Sequence, residues 1–161
     1  MKLKNLAIVT IINLFMAVGI FAAPPANDGF ANAELVSGMQ VHITRSNAEA
    51  TKEPGEPAHA NNFGGASVWF KWTAPMTRMM AFTTNRSSTN LDTVIHIYTG
   101  TSVNALTSWA FGSDINAPSN LKSFLRFEAI QGRTYYIAVD GFKVGTTPAP
   151  QGTFALDIHP S

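Results

Sequence analysis

The chain has 161 residues, of which 45% are hydrophobic, 13% charged, 11% aromatic and none cysteine. That length suits one domain with at most an appendage, and the low charge with many aromatics argues against a disordered chain. Eleven Lys and Arg stand against ten Asp and Glu with no run of like charge, which argues against electrostatic capture of nucleic acid.

At the N-terminus, Lys2 and Lys4 precede an apolar stretch from Leu6 to Phe21, and Ala22-Ala23 stand before Pro24-Pro25. This order of basic, apolar and small residues is that of a secretory signal peptide. Residues 1–23 are assigned to it, with the cut placed after Ala22, because a proline directly after a cleavage site is avoided. The alternative is an uncleaved anchor, weakened by Thr10 and Asn13 within a stretch that barely reaches spanning length. Loss of Lys2 and Lys4 leaves 9 basic against 10 acidic residues, so the mature domain, 24–161, carries about −1. The expected location is extracellular or periplasmic, with no membrane contact after cleavage. Exported domains of this size often carry disulfides; without cysteine, a bound metal ion is the expected substitute.

Along the mature chain, Asp28 to Leu35 is the helical candidate, capped by Asn27 or Asp28. The rest reads as strands in order: Gln40–Arg45, Ser67–Ala74, Arg78–Thr84, Thr93–Tyr98, Ala105–Phe111, Leu121–Ile130, Thr134–Phe142 and Thr153–His159. Period-2 alternation places Val68, Phe70 and Trp72 on one face, as it does Tyr135, Ile137 and Val139, and Phe154, Leu156 and Ile158. About eight strands at this spacing predict an all-β fold, an antiparallel β-sandwich of jelly-roll type. Two irregular segments interrupt it. One, Asn47 to Ala66, holds Glu49, Glu53, Glu56 and His59 among three glycines and two prolines; the other runs from Lys143 to Gly152. Loops as long as the first tend to be functional or metal-organised.

Several blocks then carry a resemblance: Pro25-Ala26-Asn27-Asp28-Gly29-Phe30, Glu53-Pro54-Gly55-Glu56-Pro57-Ala58-His59, Ser67-Val68-Trp69-Phe70-Lys71-Trp72, Leu91-Asp92-Thr93-Val94, Tyr98-Thr99-Gly100 and Thr134-Tyr135-Tyr136-Ile137-Ala138-Val139-Asp140-Gly141. In this order they resemble the bacterial pre-peptidase C-terminal domain family, related to the collagen-binding domains of clostridial collagenases, over nearly all of the mature chain. The resemblance implies a secreted, non-catalytic jelly-roll module, usually attached to the C-terminal side of a larger exported enzyme. Where family members carry an acidic Asn-Asp-Asp turn, this chain has Gly112-Ser113-Asp114.

Calcium takes six to eight hard oxygen ligands, and Asn27, Asp28, Glu53 and Glu56 offer such side chains. By resemblance to calcium-binding members they match the ligand positions; the alternative is that Asp28 caps the short helix and the glutamates are solvated. Asp92 and Asp140 are expected to fix turns through backbone hydrogen bonds. His42, His59, His96 and His159 lack paired zinc-ligand spacing, and no Gly-x-Ser-x-Gly elbow marks a hydrolase. Trp69, Lys71, Trp109 and Tyr136 are the candidate ligand surface, against the preferred reading that Trp69 packs beneath a loop. The first functional expectation is a secreted, monomeric, calcium-stabilised binding module that contacts an extracellular protein or polysaccharide. The second is a chaperone-like helper for a separate exported enzyme, and a stand-alone hydrolase is third.

Overall fold

The computed structural model describes residues 22–161, so the signal-peptide reading lies outside the described residues except for Ala22 and Ala23. The eight expected strands are all present, at Val41–Ser46 (β2), Val68–Thr73 (β3), Arg78–Thr83 (β4), Thr93–Thr99 (β5), Thr107–Gly112 (β6), Asn120–Ala129 (β8), Thr134–Gly141 (β9) and Thr153–Pro160 (β10). Two short strands add to them, Glu34–Val36 (β1) and Asp114–Asn116 (β7). The first sheet has the order β1-β3-β9-β5-β6, and the second β2-β10-β4-β8-β7. Among the described residues, β1 against β3 is the one parallel pair. Without the two three-residue edge strands, the eight long strands, numbered one to eight in chain order, pair as 2-7-4-5 and 1-8-3-6. That is the jelly-roll winding of two interleaved Greek keys.

The helix expected over Asp28 to Leu35 does not form. A 3-10 turn covers Phe30–Asn32, its N-cap is Gly29 with no side-chain cap bond, and Glu34–Val36 is a strand. Asp28 is drawn away from capping by Thr51, whose backbone N–H and hydroxyl both donate to its carboxylate. The strand expected from Ala105 starts at Thr107 instead, after a 3-10 turn over Val103–Ala105.

The alternation places the core where it was read. Val68, Phe70, Trp72, Tyr135, Ile137, Phe154, Leu156 and Ile158 are fully buried between the sheets. Trp72 meets Phe82 edge-to-face at 5.6 Å between ring centroids, and its indole N–H donates to Gly38 O at 2.8 Å. Each large side chain removed from water here contributes about 1.5–3 kcal/mol. Trp72→Ala is expected to cost about 3–5 kcal/mol in urea unfolding, through both the cavity and the lost N–H bond. A loss below about 1 kcal/mol would mean that the sheets close over the gap.

Candidate functional site

The outer face of the first sheet carries the residues that alternation turns away from the core. Register sets Lys71 beside Tyr136 and Tyr136 beside Tyr98 in one row, and Trp69 beside Ala138 and Ala138 beside His96 in the next. These rows are not left to solvent. Trp69 is fully buried, packed edge-on to Phe30 at 5.3 Å and to His59 at 5.4 Å, with Tyr98 at 5.9 Å. The cover consists of the 25–33 segment and the 47–66 loop.

A covering loop must find partners for its backbone without a ladder. Asp140, fully buried on β9, accepts from the amides of Gly65 and Ala66 at 3.0 and 2.9 Å and from Gly141 at 2.7 Å. Burial pushes the Asp140 carboxyl above its ordinary value, and these amides with the nearby His59 offset part of that push. Gly64 has φ +52°, and a Cβ there would run into the Asp140 carboxylate, so the turn needs glycine. Asn47 ties the loop's start to its end and to the second long loop, donating to Ala66 O and Pro150 O and accepting from Gly152 N.

At the loop's centre, Glu56 and His59 pair at 2.6 Å with both side chains wholly enclosed. A carboxylate only accepts, so His59 Nε2 carries the proton, and in the neutral ring Nδ1 accepts from the Tyr98 hydroxyl at 2.8 Å. Ser67 Oγ and the Glu53 amide also donate to Glu56. Burial opposes ionisation of Glu56, but the bonds from His59, Ser67 and Glu53 outweigh it and hold the carboxyl below its ordinary 4.5. His96 accepts from the Ala60 amide through Nδ1 at 3.0 Å and donates through Nε2 to Ser108 at 2.7 Å, so its ring is neutral. Burial lowers the His96 pKa to about 4, with the neighbouring His59 adding to the effect. Ser67, Glu56 and His59 are the residue types of a hydrolase, but the serine bonds the carboxylate rather than the imidazole, and all three are closed to solvent.

Where the cover ends, a pocket of about 390 Å³ opens over Lys71 and Tyr136, walled by Phe30, Glu53, Thr101 and Val103. Phe30 lies against Tyr136 at 4.3 Å, and its amide donates to Glu53 Oε2 at 2.6 Å, fixing the wall.

The expected calcium ligands lie on the N-terminal segment and on the loop that meets it, each already holding a protein partner. Asn27 donates to Trp69 O at 2.9 Å, Asp28 binds Thr51, Glu53 binds Phe30, and Glu56 binds His59. Among the described residues no three of His, Asp and Glu form a metal-holding group.

Of the expected ligand surface, Lys71 and Tyr136 line the pocket, whereas Trp69 and Trp109 do not. Trp69 is withdrawn because the loop buries it, and its Nε1 has no hydrogen-bond partner among the described residues. Trp109 falls where a bulge breaks the β5–β6 register; it turns to Tyr135 at 5.6 Å, with the Arg133 guanidinium 4.7 Å from its ring. Asp140 fixes backbone as expected. Asp92 does not: its Oδ1 is buried without a partner, and burial together with the charge of Asp114 raises its pKa to about 6. Phe30, Glu53 and Val103 as pocket walls were not legible, because long-range cover places them; Lys71 opposite Tyr136 was legible as an outward-facing position.

No family model matches the chain, and no curated protein matches it. A solved structure of the pre-peptidase C-terminal domain of collagenase from Bacillus anthracis is similar to it, with 13% identity and a TM-score of 0.46, covering 78% of this chain and 93% of that one. Among the described residues, no helix is long and apolar enough to cross a membrane.

His96 and Asp92 give opposite pH signatures. The folded pKa of His96 lies below the ordinary 6.5, so the stability it contributes is present above 6.5 and lost as pH falls toward about 4. The folded pKa of Asp92 lies above the ordinary 3.8, so its contribution is lost as pH rises from 3.8 through about 6. In urea unfolding, the advantage of wild type over His96→Gln is expected to shrink between pH 6.5 and 4. Asp92→Asn is expected to gain on wild type as pH rises over that range, and parallel profiles would refute both assignments.

Proposed function

We propose that this chain is a secreted, non-catalytic accessory module of the pre-peptidase C-terminal type, which contacts an extracellular polymer or protein through the Lys71–Tyr136 pocket. The observation that carries this reading is the pocket itself, which lies at the margin of an otherwise closed cover and is lined by an aromatic ring, an ammonium and hydroxyls. The sequence blocks that lead into and out of that cover support the family reading. The enclosed Ser67–Glu56–His59 set, wired to hold a loop, supports a non-catalytic role.

Calcium belongs to the proposal as a stabiliser held by Asn27, Asp28 and Glu53. The Asp28 and Glu53 carboxylates are half-buried hard-oxygen donors on one seam, chemistry that suits Ca²⁺. Glu56 is left out, since its oxygens serve His59, Ser67 and Glu53. When bound, the ion would add charge neutralisation to a seam that hydrogen bonds already close.

The purified protein is expected to co-sediment with at least one insoluble polymer among collagen fibrils, cellulose, chitin and peptidoglycan. Lys71→Glu should reduce retention about fivefold or more, by replacing the pocket's ammonium with a second carboxylate beside Glu53. Retention on none of them, with no captured protein partner, overturns the binding reading. Separately, calcium at a hundredfold excess over Kd is expected to add about 2.7 kcal/mol of stability relative to chelator, raising the unfolding midpoint by several degrees. Asp28→Ala should abolish that shift, and an unshifted wild type removes calcium from the proposal.

A further inference from the structure

We infer that the pocket takes a neutral pyranose ring presented by a glycan; this inference rests on the proposed binding role and names its ligand. Three observations converge on it. The first is charge. Lys71 and Glu53 line the same pocket with opposite sign, and Lys71 has no ion-pair partner among the described residues. An anion there would meet Glu53 and a cation would meet Lys71, so neither is matched. A neutral polyhydroxyl ligand is matched by both, because its oxygens accept from the ammonium and its hydroxyls donate to the carboxylate. In the calcium-free protein Glu53 spends Oε2 on the Phe30 amide and leaves Oε1 for such a donor.

The second observation is the aromatic wall. Tyr136 is half-buried and backed by the buried Phe30, so its ring is held in place at little cost in entropy when a ligand lands. The Tyr98 and Tyr135 hydroxyls are bonded inside the protein, to His59 and to the Ile130 amide, whereas the Tyr136 hydroxyl has no partner among the described residues. A ring with one apolar face and a rim of hydroxyls meets such a wall on both counts. Thr101 and Ser102 also line the pocket and add hydroxyls, that of Ser102 donating to Asn104 Oδ1 and so serving a ligand as an acceptor.

The third observation is location. The pocket sits over β3 and β9, each hydrogen-bonded on both sides, by β1 and β9 and by β3 and β5 respectively. An extended peptide cannot add to either strand, so the main-chain pairing that gives peptide grooves their affinity is absent. At about 390 Å³ the pocket is of small-molecule size rather than a protein-docking surface.

The test is an NMR titration of the purified protein, with chelator present, using cellobiose, maltose and diacetylchitobiose, with glycylglycine and galacturonic acid as zwitterionic and anionic comparators. Saturable shifts at Lys71, Tyr136 and Val103 are expected with at least one neutral disaccharide, at a Kd on the order of millimolar. Tyr136→Leu is expected to weaken binding about tenfold and Lys71→Met about threefold, as one stacking surface and one charged donor are removed. Lys71 is half-exposed, so Lys71→Met tests the inference even where Tyr136→Leu disturbs the packing of Phe30. No saturable shift with any neutral sugar overturns the inference, as does an unchanged Kd in Lys71→Met or tighter binding of glycylglycine or galacturonic acid. Retention on a polymer or protein without sugar shifts overturns this inference alone, and loss of both overturns the binding role as well.

Discussion

Trp69 stands on the side of β3 that alternation turns away from the sandwich, and the architecture above the first sheet follows from the need to cover it. A tryptophan removes on the order of 150–250 Å² from water when buried, more than a plain polar loop could leave exposed without loss. The chain answers with a third layer, formed by the N-terminal segment and the 47–66 loop, rather than with a helix. Phe30, His59 and Tyr98 close around the indole, and β3 and β5 become strands buried on both faces.

A layer without regular secondary structure has no ladder to satisfy its amides, so side chains take that task. Asp140, Asn47 and Glu56 each serve several partners, and they are among the most buried polar groups in the molecule. Removing a charged group from water costs several kcal/mol unless its bonds are complete, which is why each of these acceptors is saturated rather than reactive. The same economy shapes the pocket. Glu53 holds Phe30 in place, Phe30 supports Tyr136, and the wall that would meet a ligand is therefore a by-product of the seam that closes the cover.

The eight long strands were legible because period-2 patterning survives wherever one face is a core, as in Val68, Phe70 and Trp72. The two additional strands were not, since three residues give no period, and Glu34–Val36 pairs in parallel with a strand more than thirty residues away. The expected helix failed because Asn27 and Asp28 carry a local capping signal that distant partners override: Trp69 takes the first and Thr51 the second. Glu56 looked like a metal ligand for a related reason. Its true partners include Ser67, beyond the end of the loop, and through His59 it reaches Tyr98, so nothing in its neighbourhood announced them. Burial of Trp69 beneath a loop was the preferred reading and is what the structure shows, while the residues that close over it, Phe30 and His59, came only from the tertiary fold.

Asn62 and Asn47 carry a consequence for how the molecule ages. Asn62 donates to Lys143 O and accepts from the amides of Gly64 and Lys143, so one side chain joins the two long loops. Asn47 does the same from the other end, with Ala66, Pro150 and Gly152 as its partners. Deamidation of either would replace an N–H donor with a negative oxygen facing a carbonyl, turning an attraction into a repulsion. With no cysteine to cross-link these loops, two amide side chains hold them together, and neither lines the pocket.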